Sequence, residues 1–266
     1  LENDILQIPV INSEGRVVGL KTFKNLINAS EKIDSPVLLM AGGFGKRLRP
    51  LTNHLPKPLL QISSKPILET IFLQFVESGF NDFYISTYYK KEEIQKHFGD
   101  GSKWGVSIQY IHEDKPLGTA GALGLLPKNM IELPLIVMNG DLLTKINFQQ
   151  LLSFHKKQGG IATICARNYD FQIPYGVIES HEEAVQSIRE KPTFSYFVNA
   201  GIYVLESALV KPLQANVPLN MPDLLQQQIK NNKKISIFPI HEYWIDIGRM
   251  EEYERAEIEY SLIKDD

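Results

Sequence analysis

The stretch LMAGGFGKRLRPLTNHLPKPLL, Leu39 to Leu60, constrains this chain more than any other part of it. A short apolar run, Val37 to Met40, leads straight into three glycines among four residues: Gly42, Gly43 and Gly45. Within sixteen residues the same loop acquires four cations, Lys46, Arg47, Arg49 and Lys57. Glycines let backbone N–H groups come close to an anion, and the cations supply charge where phosphates would lie. Cations concentrated behind a glycine loop gain nothing for packing, so a polyphosphate ligand is the natural expectation. The phosphate-loop pattern G-x-x-x-x-G-K-[ST] is not met, because Arg47 follows Lys46, and G-x-G-x-x-G fails too.

From Val37 onward, short apolar runs alternate with helical spacing. Val37 to Ala41 reads as a buried strand, and Pro66 opens a helix whose apolar residues, Ile67, Leu68, Ile71, Phe72, Phe75 and Val76, recur at helical intervals up to Gly79. Further strands are expected at 83–89, 107–113, 135–141 and 160–166, with helices at 91–98, 120–126 and 148–157 between them. This succession predicts an α/β fold, a Rossmann-like, mixed but mostly parallel sheet sandwiched by helices. In such sheets ligands bind beyond the carboxyl ends of the strands. The glycine loop follows the first strand and Asp141 ends the fourth, so both point at one edge. The second half is richer in strands, at 175–180, 184–190, 197–207, 235–240 and 243–248, with helices near 223–231 and 250–263.

At 266 residues the chain has ample length to bury a core, and its 43% apolar and 22% charged residues are ordinary for a soluble protein. A net charge of -3 argues against holding nucleic acid by bulk electrostatics. Nor is there an extended basic face with aromatic platforms for single strands. A local basic loop in a mildly acidic chain suits a small anionic substrate instead. The lone cysteine, Cys165, excludes an intrachain disulfide framework and suits the cytoplasm; it reads as a buried strand residue. No apolar run approaches the ~20 residues of a membrane span, and no signal peptide is evident. The chain opens on Leu1 rather than Met, as a piece of a longer protein would.

Gly42, Gly43, Gly45, Lys46, Arg47, Leu48, Pro50 and Thr52, followed by Pro56, Lys57 and Pro58, resemble the signature G-G-x-G-[TK]-R-L-x-P-x-T then P-K-P. That signature belongs to the sugar-phosphate nucleotidyltransferases, and the likeness covers about residues 35 to 262. It implies catalytic roles for Arg47, Lys57, Asp141, Lys191 and Asp246. Asp141 lies in Asn139-Gly140-Asp141, where Gly140 is expected to leave room for a ligand, and Asp246 lies in WIDIGRMEEYERA. The resemblance implies that this pair of aspartates holds Mg²⁺, which commonly binds one or two carboxylates plus substrate phosphates and water. It also implies nucleotide contacts from Ala41, Gly42, Gly43, Gly45, Lys46, Arg47, Lys57, Glu113, Gly118 and Thr119. Tyr175, Gly176, Glu190, Lys191 and Asn199 match the segments that hold the sugar phosphate.

The nucleobase falls, by the same resemblance, along His112 to Gly121. Relatives that use uracil or thymine commonly carry glutamine where this chain has Glu113. Guanine presents two adjacent donors that a carboxylate can accept together, whereas uracil would turn carbonyl oxygens toward it. GTP is therefore the expected nucleotide, with UTP second. The sugar 1-phosphate implied is glucosamine 1-phosphate, from a likeness to bacterial guanylyltransferases that make GDP-activated amino sugars, including those of legionaminic acid synthesis. Mannose 1-phosphate is the alternative. No membrane partner is expected, and the sequence leaves the oligomeric state open, a homo-oligomer included. A rival class is the regulatory subunit that binds sugar nucleotides without turnover, but such proteins tend to lose one of the residues kept here as Arg47, Lys57, Asp141 and Asp246. Residues 1–34 fall outside this core, leaving 35–266 as the nucleotidyltransferase domain. Ile8 to Ile27 resembles half of a CBS motif (strand, Glu14-Gly15 turn, strand, helix), with a plain N-terminal hairpin as the alternative.

Overall fold

A computed structural model describes residues 7–11, 16–22, 32–128 and 134–263. The hairpin β1 (Gln7–Ile11) and β2 (Val17–Thr22) pairs antiparallel, with Gln7 opposite Thr22. The Glu14-Gly15 turn and the helix expected after Thr22 lie outside the described residues. The chain then runs through β3 (Val37–Met40), the short pair β4 (Gln61–Ile62) and β5 (Lys65–Pro66), and helix α1 (Ile67–Glu77). Next come β6 (Asp82–Thr87), α2 (Lys91–Phe98), β7 (Ser107–His112), a single turn α3 (Gly118–Gly121), β8 (Leu135–Asn139) and β9 (Leu142–Thr144). Helix α4 (Phe148–Gln158), β10 (Ala162–Gln172), β11 (Val177–His181), β12 (Ala184–Arg189) and β13 (Thr193–Leu205) follow. The chain closes with α5 (Ser207–Val210), α6 (Met221–Lys230), β14 (Ile235–Ile240), β15 (Trp244–Asp246) and α7 (Met250–Ile263).

Seven strands form one sheet in the order β14-β10-β13-β8-β3-β6-β7. β3 pairs in parallel with both β6 and β8, β6 with β7, and β10 with β14, while β13 runs antiparallel to β8 and β10. The sheet is thus mixed and mostly parallel, as expected. Successive residues of a strand face opposite sides, and β3 shows the consequence. Val37 and Leu39 feed one core, with Phe72, Phe75 and Phe83, while Leu38 feeds the other, with Tyr84, Leu123 and Leu225. Burial on both faces explains why this strand reads as an unbroken apolar run. Helix α1 covers the first face: Ile67, Leu68, Ile71, Phe72 and Phe75 are buried at helical spacing, worth ~1.5–3 kcal/mol each. It ends at Gly79, whose φ of 95° suits the left-handed turn past a helix C-terminus.

Parallel pairing brings the carboxyl ends of β3, β6, β7 and β8 to one edge. Antiparallel β13 reaches that edge with its middle, since Ile202 pairs with Met138. Two elements differ from the expectation. The helix expected at 120–126 is the single turn α3 continued as 3-10 helix to Leu125. β10 also continues to Gln172, and β13 begins as early as Thr193, pairing Tyr169 with Tyr196 and Phe171 with Phe194. Beyond the sheet these strands form a ribbon that is largely exposed, with polar and aromatic residues interleaved, so no buried apolar run marks it.

Candidate active site

The glycine loop leaves β3 at Ala41, whose amide donates to the Ser86 carbonyl at 2.9 Å. Each glycine answers a different constraint. A side chain on Gly42 would place its first carbon 2.9 Å from Glu113 Oε1. On Gly45, at φ 63°, it would meet Thr52 at 2.8 Å and Lys57 at 3.0 Å. On Gly43 it would meet nothing within 4 Å, so that face of the loop is open. Among the described residues, no hydrogen bond engages the amides of Gly42, Gly43 or Phe44, which leaves three backbone donors available to an anion. Lys46 is exposed, its ammonium 5.0 Å from the centre of the Phe44 ring.

The two aspartates converge. β15 pairs antiparallel with β9, Asp246 opposite Leu142, and the Ile247 amide donates to the Asp141 carbonyl at 3.0 Å. Lys57, only 7% exposed, forms an ion pair with Asp141. The Arg47 guanidinium lies across Gly248, 3.5 Å from where a side chain there would begin. Asp246 keeps an exposed flank, yet partial desolvation raises its carboxyl above the usual range, and the Asp141 charge adds to that. Lys57 and Arg47 pull the other way. The site thus gathers two carboxylates and two cations. Among the described residues, no group of three or more His, Cys, Asp and Glu gathers as a metal site. The acidic pair offers hard oxygen donors, and its mutual repulsion is what a divalent cation would relieve, so the residues fit Mg²⁺. Gly140 has a packing part besides the one expected. A side chain on it would strike the Met40 carbonyl at 2.7 Å, so it is small to let β8 approach β3, and it also lines the cleft described next.

A cleft of about 290 Å³ opens between the loop and this acidic corner. Ala41, Gly42, Gly43, Lys57, Glu113, Gly118, Thr119 and Asp141 all line it. Gly45, Lys46, Arg47 and Asp246 lie outside its lining. Glu113 accepts from the Ser86 hydroxyl on Oε1 at 2.5 Å and from the Leu117 amide on Oε2 at 3.0 Å. The Thr119 hydroxyl accepts from the Met221 amide at 2.8 Å at the start of α6, which leaves its own O–H and its backbone for a ligand. Gly118, at φ 80°, lies where a side chain would strike Asn220 Oδ1 at 2.6 Å and the Leu219 carbonyl at 2.7 Å.

The residues expected on the sugar side divide into two groups. Tyr175, Gly176, Glu190 and Lys191 sit together where the outer ribbon continues into the β11–β12 hairpin: the Lys191 amide donates to the Tyr175 carbonyl at 3.3 Å, and Gly176 faces Glu190 Oε2. All four are exposed, and among the described residues no hydrogen bond or ion pair joins them to Lys57 or Asp141. Asn199 is placed at the sheet edge instead. It accepts from the Gly201 amide, donates to the Tyr203 hydroxyl at 2.7 Å, and neighbours Asn139 through Gly201. The neighbouring Ala200 carbonyl accepts from Trp244 Nε1 at 2.9 Å, tying this segment to the strand that carries Asp246. Ser86, Asn139 and Trp244 were not singled out from sequence. A polar Ser86-Thr87 pair at the end of an apolar strand is the one signal that could have marked the first.

The chain folds as a doubly covered α/β sheet with a cleft beyond its strand ends, an architecture that binds ligands at that edge. Its family is the nucleotidyl transferase family, whose model matches residues 36–261, and the chain belongs to it. It is 31% identical over 227 residues to a mannose-1-phosphate guanyltransferase of Debaryomyces hansenii and 33% identical over 224 residues to one of Pichia angusta. Each match takes in 81% of this chain, which spans 62% and 61% of those relatives' lengths. Among solved structures, HddC of Yersinia pseudotuberculosis complexed with GMP-PN matches with a TM-score of 0.65 at 25% identity, covering 85% of this chain and 99% of that one. A putative glucose-1-phosphate thymidylyltransferase of Bacillus anthracis shares the fold, with a TM-score of 0.69 at 24% identity, covering 84% and 94%.

Proposed function

We propose that this chain transfers a guanylyl group from GTP to a sugar 1-phosphate, glucosamine 1-phosphate first, and releases pyrophosphate. The observation that carries this is the meeting of Asp141, Asp246, Lys57 and Arg47 at one sheet edge, beside a cleft walled by the glycine loop and Glu113. The cleft has room for a base and part of a ribose, with the phosphates running out toward Arg47. Glu113 accepts the paired donors of guanine, and the relatives named as guanyltransferases support that base. Their names also favour mannose 1-phosphate as a second sugar.

An oxygen of the sugar phosphate attacks the α-phosphorus, and the bond to the β-phosphate oxygen breaks with its electron pair leaving on pyrophosphate. A phosphate monoester, with a second pKa of about 6, is already mostly dianionic at neutral pH, so no side chain must act as base. The residues therefore contribute position and charge. Free loop amides and Arg47 hold the departing phosphates. Lys57, once parted from Asp141, and Lys191 on its ribbon draw the two anions together. Mg²⁺ held by Asp141 and Asp246 would supply charge neutralisation at the phosphate oxygens. Tyr175, Gly176, Glu190 and Asn199 orient the sugar.

In this proposal residues 1–34 precede the transferase domain, a boundary supported by a family match that begins only at residue 36, and their partial CBS type rests on the resemblance of Ile8 to Ile27 alone. Pyrophosphate release with GTP and UTP, each against glucosamine, mannose and glucose 1-phosphates with Mg²⁺, tests the reading. GTP with glucosamine 1-phosphate should be fastest. UTP turning over while GTP fails with every sugar overturns the base assignment, and binding without any turnover favours the regulatory class.

A further inference from the structure

Ser86 is wholly buried at the end of β6, between the two walls of the cleft. Its carbonyl accepts from the Ala41 amide where the glycine loop begins, and its hydroxyl donates to Glu113 Oε1 at 2.5 Å. The other oxygen of Glu113 accepts from the Leu117 amide, closing the loop 113–117. Oε1 also lies 2.9 Å from where a side chain on Gly42 would begin, so only a glycine fits beside it. Next along the strand, the Thr87 carbonyl accepts from the Glu113 amide, and the Thr87 hydroxyl bonds His112 Nδ1 at 2.9 Å. Backbone and side chain of Glu113 are thus both held by β6. With two bonds fixed in this way, the carboxylate can present its remaining lone pairs in only one direction, and Glu113 lines the cleft.

We infer that Ser86 is a positioning residue for base selection: its hydroxyl locks the Glu113 carboxylate in the orientation that accepts two adjacent donors from a purine. The inference rests on the guanine reading above. A carboxylate freed to rotate loses the paired geometry while the loop amide still holds it, so the defect falls on recognition of the base and spares the phosphates. A site that pairs with a substrate's donors discriminates strongly against analogues that lack them.

The test is steady-state kinetics of Ser86→Ala and Ser86→Thr with GTP, ITP and UTP. ITP keeps the N1 donor but lacks the 2-amino group. Ser86→Ala should raise KM for GTP about tenfold, a change of ~1.4 kcal/mol, and that for ITP two- to threefold. KM for UTP should stay unchanged and kcat with saturating GTP within about twofold. Ser86→Thr, which keeps the hydroxyl, should restore the GTP value. Equal rises in KM for all three nucleotides, or a loss in kcat alone, overturn the inference and leave Ser86 a packing residue. If the unaltered enzyme itself shows no preference for GTP over UTP, the guanine reading fails first. A preserved GTP preference in Ser86→Ala sinks the positioning role while leaving that reading intact.

Discussion

The nucleotide wall and the outer ribbon of this molecule are built on opposite principles. In the wall, among the described residues, the charged side chains are held by other groups and loop amides are left free. Lys57 is paired with Asp141, Glu113 is bonded at both oxygens, and Gly42, Gly118 and Gly140 each occupy a space that a side chain would overfill. On the ribbon, Tyr175 is 74% and Ile188 67% exposed, and Lys191 stands in solvent at φ 45°. The wall is held in shape by its own contacts, whereas in the proposed function the ribbon offers exposed groups that the sugar phosphate must gather. Changes in the wall should therefore mix stability with catalysis, and changes on the ribbon should touch substrate affinity alone.

The largest effect belongs to Asp141. Asp141→Asn keeps an acceptor for the Lys57 ammonium but removes the charge expected to hold the metal, so kcat/KM should fall ~10³-fold or more, several kcal/mol of lost stabilisation. Thermal melting should show a cooperative, folded protein; a near-normal rate would refute the metal role. The bare truncation Asp141→Ala is a harsher probe, because a buried cation left without its partner destabilises in its own right. An intermediate effect is expected for Gly118→Ala, which puts a side chain at φ 80° against a backbone oxygen. The cost should be roughly 2–3 kcal/mol, seen as a fall of ~5–10 °C in Tm. An unaltered Tm would break the claim that this wall is tightly built. The smallest change is Lys191→Ala. It should raise KM for the sugar 1-phosphate about tenfold, as loss of one charge-assisted contact does, and shift stability by less than ~0.5 kcal/mol. A matching rise in KM for GTP would erase the distinction between the two regions.

Much of this was legible because the signals are local. The apolar run 37–40, the glycines after it and the helical spacing of 67–76 depend only on near neighbours in sequence, and each element appears where expected. The outer ribbon was cut short because residues 167–172 alternate polar and aromatic side chains on an exposed surface, where no core enforces a pattern. The packing part of Gly140 is invisible locally because the strand it approaches, β3, lies about a hundred positions away in the chain. Ser86 carries no motif, since a serine at a strand end gains meaning only from what stands opposite it.

The order of residues by itself determined the fold class, the glycine-rich cationic loop and the acidic and basic residues available to it. Spacing, charge and apolar periodicity are written within short stretches of chain. Only the tertiary structure decided that Lys57 is paired with Asp141 across 84 positions, that Asp246 adjoins them through β15, and that Ser86 holds Glu113. Such contacts follow from the crossing of distant strands, where burial and hydrogen bonding act together and no local pattern reaches.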